Sequence, residues 1–79
     1  MAMADDDLRR MAELEALAEK AYDEMYETRF PAGCYADMKE YFAAAISIAE
    51  HGGRPDEAAR LTRRLEHCRQ VYRKQFSTP

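Results

Sequence analysis

The stretch between Pro55 and Phe76 limits the fold more narrowly than any other part of the chain. Its apolar and thiol side chains recur at steps of three and four residues, a spacing that places them on one face of a helix. They are Ala58, Leu61, Leu65, Cys68, Tyr72 and Phe76. A helix with such a face has to bury it, so the preceding residues must supply packing partners. Leu65 is at the middle of this face, and we expect its truncation to be among the most destabilising.

The opposite side of the same predicted helix is basic. We call its five residues the basic face: Arg60, Arg63, Arg64, His67 and Lys74. Such a face can bind nucleic-acid phosphates, or it can be solvated or dock against an acidic helix of the same or another subunit. The net charge is −3, the pI is about 5.3, and no nucleic-acid-binding motif is visible. We therefore favour the second interpretation and do not expect nucleic acid as a partner.

The two ends of the chain carry opposite charge. Residues 1–30 contain nine acidic and four basic residues, whereas residues 54–79 contain seven basic and three acidic ones. We expect the first and last helices to attract each other, either within one chain or between subunits.

Two more helices are predicted upstream. The first runs from about residue 5 to 29, with one of Asp5, Asp6 and Asp7 as its cap, and Pro31 ends it before a turn at Gly33. Its buried face consists of Met11, Leu14, Ala18, Ala21, Tyr22 and Met25. The second helix runs from about residue 34 to 51, and Gly52 or Gly53 ends it in the left-handed conformation. Its buried face consists of Tyr35, Met38, Phe42, Ala45, Ile46 and Ala49.

Short connections between three helices favour antiparallel packing. The sequence therefore predicts an all-α fold, a single domain over residues 1–79 that forms an up-down-up three-helix bundle with its third helix at about 55–76. The bundle would gather most of its large rings at one pole, the aromatic end: Tyr22, Tyr26, Phe30, Tyr35, Tyr72 and Phe76. A core this small leaves about 3 to 5 kcal/mol of net stability, so we also expect a homo-oligomer.

The second predicted helix carries small side chains opposite its buried face. We call this the outer stripe, and it consists of Ala36, Glu40, Ala43 and Ser47. Small side chains allow two helices to approach closely, which predicts a twofold dimer in which each stripe faces its own copy. Ala43→Arg should then split the dimer.

No arrangement of residues predicts catalysis, a metal site or a cofactor. The sequence lacks a phosphate-binding loop after a strand, a CxxC pair and an HxxxH pair. Cys34 and Cys68 lie on apolar faces. Pairing the second and third helices about Gly53 places Cys34 opposite the neighbourhood of Tyr72, off register with Cys68, so we expect two free thiols.

A short segment resembles the hairpin of a single tetratricopeptide repeat. The resemblance rests on Phe42, Ala45, the GGRPDEA turn and Ala58. It covers about a third of the chain, and a second copy, which such repeats need for stacking, is absent from the sequence. We transfer no function from it.

The N-terminus is acidic where a signal peptide would be basic, and no apolar run approaches the roughly 20 residues that cross a bilayer. We therefore expect a cytoplasmic protein without membrane contact.

The function that we expect is that of a small interaction module, a regulatory or adaptor protein that binds another protein or itself. The alternatives are a nucleic-acid-associated regulator using the basic face, or a ligand-binding or enzymatic site assembled between subunits. The aromatic end is either plain core or a ligand pocket.

Overall fold

A computed structural model describes residues 4–76. It contains three helices, α1 (Asp5–Glu24), α2 (Pro31–His51) and α3 (Pro55–Gln75). The described residues form no strand. α2 packs along both of the other helices, whereas the backbones of α1 and α3 approach each other less closely. The predicted all-α three-helix bundle is confirmed.

The first helix ends earlier than residue 29. Beyond Glu24 the amides of Tyr26 and Glu27 donate to carbonyls three residues earlier, at 3.2 and 3.1 Å, so the chain tightens into a turn. The Phe30 amide then donates to Thr28 Oγ1 at 3.2 Å. The helix therefore ends about five residues before its predicted limit, and residues 25–30 form a connection with its own hydrogen bonds.

Pro31 begins α2 instead of ending α1. A proline suits the first helical position because its φ is already helical and its missing amide hydrogen would have had no partner there. Gly33, predicted as a turn residue, lies inside α2, where an added Cβ would meet no atom within 4 Å. The predicted start of this helix at Cys34 is therefore wrong by three residues.

The turn between α2 and α3 follows the prediction. Gly53 has a φ of 74°, the left-handed conformation that a side chain would penalise. The Arg54 amide donates to the Ala49 carbonyl at 2.8 Å, and the Gly53 amide donates to the Glu50 carbonyl at 3.2 Å. This pair of hydrogen bonds is a Schellman motif, and it satisfies carbonyl groups that the end of α2 would otherwise leave open.

The acidic residues at the start of α1 do not cap it. The cap position is Ala4, which provides no side-chain hydrogen bond. Asp5, Asp6 and Asp7 instead occupy the first turn, where the positive end of the helix dipole favours negative charge.

The core is formed by apolar side chains from all three helices. The largest fully buried ones are Phe42, Met25, Met38, Leu61 and Cys68, and the described residues bury no polar or charged side chain. Leu65, which we expected at the centre of the core, is only partly buried. Leu61, one turn earlier, is fully buried and takes that place in α3.

Candidate interaction surfaces

Two ion pairs join α1 to α3. Arg60 donates to both carboxylate oxygens of Glu15, at 2.7 and 2.9 Å. Arg64 donates to both oxygens of Glu19, at 2.7 Å each. In each pair the planar guanidinium matches the carboxylate with two parallel hydrogen bonds. The expected attraction between the first and last helices is therefore satisfied within one chain.

These contacts change the proton affinities of the groups involved. The hydrogen bond from Arg60 lowers the pKa of Glu15, and partial burial opposes that effect. Hydrogen bonds to Glu15 and to Glu57 raise the pKa of Arg60, and the hydrogen bond to Glu19 raises the pKa of Arg64. Glu15 and the two arginines are therefore charged at neutral pH.

The basic face divides into two groups. Arg60 and Arg64 are neutralised by α1, and the Arg64 guanidinium also lies 5.2 Å from the centre of the Tyr22 ring. Arg63, His67 and Lys74 are exposed and form no ion pair with any described residue. Only the second group is available to a partner.

An open groove lies where α3 leaves the turn. It has a volume of about 530 Å³ and is lined by Glu50, Pro55, Ala58, Ala59, Thr62 and Arg63. The Thr62 hydroxyl donates to the Ala58 carbonyl at 2.7 Å, so this polar group already has a partner. The groove therefore has a largely apolar floor and one unpaired base at its edge.

Five rings form a continuous ladder at the aromatic end. The distances between ring centres are 5.7 Å for Tyr22 and Tyr26, 5.4 Å for Tyr26 and Phe76, and 5.7 Å for Phe76 and Tyr72. Tyr35 and Tyr72 are stacked at 3.8 Å. This stacking joins α2 to α3 at the register that pairing about Gly53 predicts. The ladder spans all three helices; Tyr26 is exposed and the other four rings are partly buried.

Polar groups at the edge of the ladder interact with its rings. The hydroxyls of Tyr22 and Tyr26 are 3.2 Å apart, and the Lys39 ammonium lies 4.5 Å from the centre of the Tyr35 ring. Burial, followed by the hydrogen bond with Tyr26, raises the pKa of Tyr22 to about 12. Tyr22 is therefore a neutral hydrogen-bonding group at physiological pH.

Phe30 does not belong to the ladder. It is 78% exposed, the highest value among the large apolar side chains of the described residues, and Tyr26 in the same connection is 49% exposed. The sequence places Phe30 at the aromatic end but does not predict its exposure.

The outer stripe of α2 faces away from the core. Ala36, Glu40 and Ala43 are exposed, and Ser47 is partly buried. His51 Nδ1 lies 2.8 Å from the Ser47 carbonyl oxygen and 3.3 Å from Ser47 Oγ, so the polar end of the stripe interacts within its own helix. The twofold dimer through this stripe stays a prediction.

Both cysteines are free thiols. Cys34 is partly buried, Cys68 is fully buried, and burial raises the pKa of Cys68 to about 11. A protonated, enclosed thiol is a poor nucleophile and a poor metal ligand. Between residues 4 and 76, no three His, Cys, Asp or Glu side chains are grouped closely enough to hold a metal ion.

No protein-family model matches the chain, and neither a curated protein nor a solved structure matches it. The resemblance to a tetratricopeptide hairpin therefore has no family match behind it. Among the described residues, no helix combines the length and hydrophobicity needed to cross a bilayer.

The sequence did not lead us to the two ion pairs between α1 and α3, although the spacing of their residues could have predicted them. Glu15 and Glu19 are four residues apart on α1, and Arg60 and Arg64 have the same spacing on α3. Two parallel helices that carry acids and bases at matching steps can form both ion pairs at one register. The charge totals predicted an attraction, and this spacing would have identified the partners.

Proposed function

We propose that the protein is a small helical protein–protein interaction module, with a regulatory or adaptor role and no catalytic activity of its own. The observation that carries the proposal is the exposure of Phe30. A phenylalanine that is 78% exposed leaves a large apolar surface in water. Exposed apolar surface of this kind marks interaction sites when it belongs to a patch, and exposed Tyr26 lies in the same short connection.

The backbone on both sides of Phe30 is restrained. Its amide is held by Thr28 Oγ1, and Pro31 narrows the conformations open to the residue before it. A ring presented on a fixed backbone loses little entropy on binding, which favours its use as an anchor. The partner that we propose is a protein with an apolar cleft that receives this ring.

The cytoplasm is the compartment that we propose for this interaction. Cys34 and Cys68 are free thiols, which suits a reducing compartment.

Site-specific photo-cross-linking tests the proposal. A benzophenone amino acid replaces Phe30 in one variant and Leu17 in a matched control, because Leu17 is also a large apolar residue, 40% exposed, and lies on α1. We expect position 30 to capture a protein in cells and position 17 to capture none.

The captured protein is then purified, and its affinity is measured for the parent, Phe30→Ala and Leu17→Ala. We expect Phe30→Ala to weaken binding by at least about tenfold, and Leu17→Ala to leave it unchanged. Equal affinities for all three chains would refute the role of Phe30. Capture of a second copy of this chain would indicate that the chain forms a homo-oligomer through Phe30 and would contradict the adaptor role.

Nucleic-acid-associated regulation is the second candidate. Its support is the group of three exposed bases on α3, Arg63, His67 and Lys74. Neutralisation of Arg60 and Arg64 by α1 reduces the charge that phosphates would meet. Retention on heparin at physiological salt would favour this candidate over the interaction module.

A further inference from the structure

The groove beside α3 and the unpaired bases form one continuous surface. Arg63 lines the groove and is also the first of the three exposed bases. His67 and Lys74 follow it by four and eleven residues, so they repeat on the same side of the helix, and Lys74 lies about 16 Å further along the axis. An apolar depression thus continues directly into a row of basic side chains.

Between residues 4 and 76, no carboxylate forms an ion pair with this row. Glu15 and Glu19 are bound by Arg60 and Arg64. Glu66, on α3 itself, interacts with Arg73 at 3.6 Å and Arg69 at 3.9 Å. The positive charge on Arg63 and Lys74 is therefore free to meet negative charge from outside.

The charged residues on the two sides of the groove would determine the orientation of a bound partner. Among the described residues that line it, Glu50 on the α2 wall is the only carboxylate, and Arg63 stands on the α3 wall. Negative groups of an occupant are repelled from the first wall and attracted to the second. The apolar lining residues Pro55, Ala58 and Ala59 suit a single apolar side chain.

We propose that this surface binds an acidic segment of a partner protein, with one apolar side chain in the groove and carboxylates beside Arg63, His67 and Lys74. The proposal rests on the proposed function in that the partner is a protein, but it uses a surface without Phe30. Nucleic acid is disfavoured because the protein has a net charge of −3 and this row of bases is short, and because an apolar groove gives phosphates no favourable contact.

The test measures binding of a synthetic helix-forming peptide of glutamate, alanine and leucine, with its glutamate-to-glutamine version as the neutral probe. We expect the acidic peptide to bind in low salt and to weaken as salt screens the charges, and the neutral peptide not to bind. The double variant Arg63→Glu with Lys74→Glu should weaken binding by at least about tenfold.

Two controls match that variant. Arg9→Glu with Lys20→Glu makes the same change in net charge on exposed positions of α1 and should leave binding unchanged. Ala59→Gln fills the groove without a charge and should weaken binding, whereas Ala16→Gln, at an exposed alanine of α1, should not. Phe30→Ala should bind the acidic peptide as the parent does, so failure here and failure of the Phe30 proposal are distinguishable.

Three binding results would overturn the assignment. They are no binding of the acidic peptide by the parent, equal loss of binding in the α1 control, and tighter binding of a single-stranded oligonucleotide than of the peptide. Self-association that the Arg63 and Lys74 substitutions abolish would also overturn it, because the occupant would then be the acidic first turn of a second copy.

Discussion

Residues 52–54 connect α2 to α3 at the end of the bundle that we call the glycine end, after Gly52 and Gly53. Residues 25–30, twice as many, connect α1 to α2 at the aromatic end. The shorter connection is closed by the Schellman hydrogen bonds around Gly53 and is followed by small or aliphatic core residues. The longer one buries Met25, leaves Tyr26 about half exposed within the ladder and leaves Phe30 largely in solvent. The turn at the glycine end is thus fixed by its own backbone hydrogen bonds, whereas the connection at the aromatic end leaves one ring, Phe30, outside the ladder.

The largest expected effect belongs to the core near the glycine end. Leu61→Ala should cost about 2 to 5 kcal/mol because Leu61 is fully buried, and a domain of this size then has little stability left. Leu65→Ala, one turn closer to the aromatic end, should cost roughly 1 to 2 kcal/mol because part of that side chain already meets solvent. Urea denaturation of both variants checks the order. A larger loss of stability in Leu65→Ala than in Leu61→Ala would support the sequence-based expectation that Leu65 is central to the core.

The turn at the glycine end should be sensitive to a single methyl group. Gly53→Ala should destabilise the protein by about 1 kcal/mol, since an L side chain is strained at a φ of 74°. Gly33→Ala is the matched control. It lies inside α2 with open space around its Cβ position, so it should stabilise by about 0.5 to 1 kcal/mol. Thermal unfolding of the two variants should shift in opposite directions, and a shared direction would contradict the assignment of the turn.

Both errors in the predicted helix limits arise at Pro31. The sequence shows that a helix cannot continue through this residue, but a proline is equally suited to begin one, and the i to i−3 hydrogen bonds that end α1 at Glu24 leave no signature in residue type. The end of α2 at Gly53 was predictable because two consecutive glycines follow a long segment with helical apolar periodicity. Leu61 is buried more completely than Leu65 because of how closely α1 and α3 approach each other. The periodicity of the sequence does not predict that distance.

The candidate surfaces were predictable to different degrees. The basic face follows from periodicity, but its division into paired and unpaired bases depends on which side of α3 meets α1. The aromatic end follows from the up-down-up order, and the stacking of Tyr35 on Tyr72 confirms its register. The exposure of Phe30 depends on the path of residues 25–30, which no pattern in the sequence fixes.

A smaller effect is expected from the ion pairs between α1 and α3. Because Arg60 lowers the folded-state pKa of Glu15, the pair contributes stability above the ordinary pKa of about 4.5, and this contribution is lost as the pH falls through the lowered value. Glu15→Gln should therefore reduce stability at neutral pH by less than about 1 kcal/mol, since Arg60 is partly exposed, and the difference from the parent should disappear in acid.

Urea denaturation at several pH values measures this difference. Glu13→Gln serves as the control, because Glu13 contacts Arg10 only at 3.9 Å and both side chains are more than half exposed. A difference between Glu15→Gln and the parent that grows as the pH falls would contradict the assigned direction of the pKa shift.

The most direct test of the contrast between the two ends is the free energy of unfolding of Phe30→Ala, measured by urea denaturation. We expect a change within about 0.5 kcal/mol of the parent, because the ring is 78% exposed and lies outside the ladder. A loss of about 2 kcal/mol or more, as expected for a buried aromatic side chain, would show that Phe30 supports the fold and would remove the observation on which the proposed function rests.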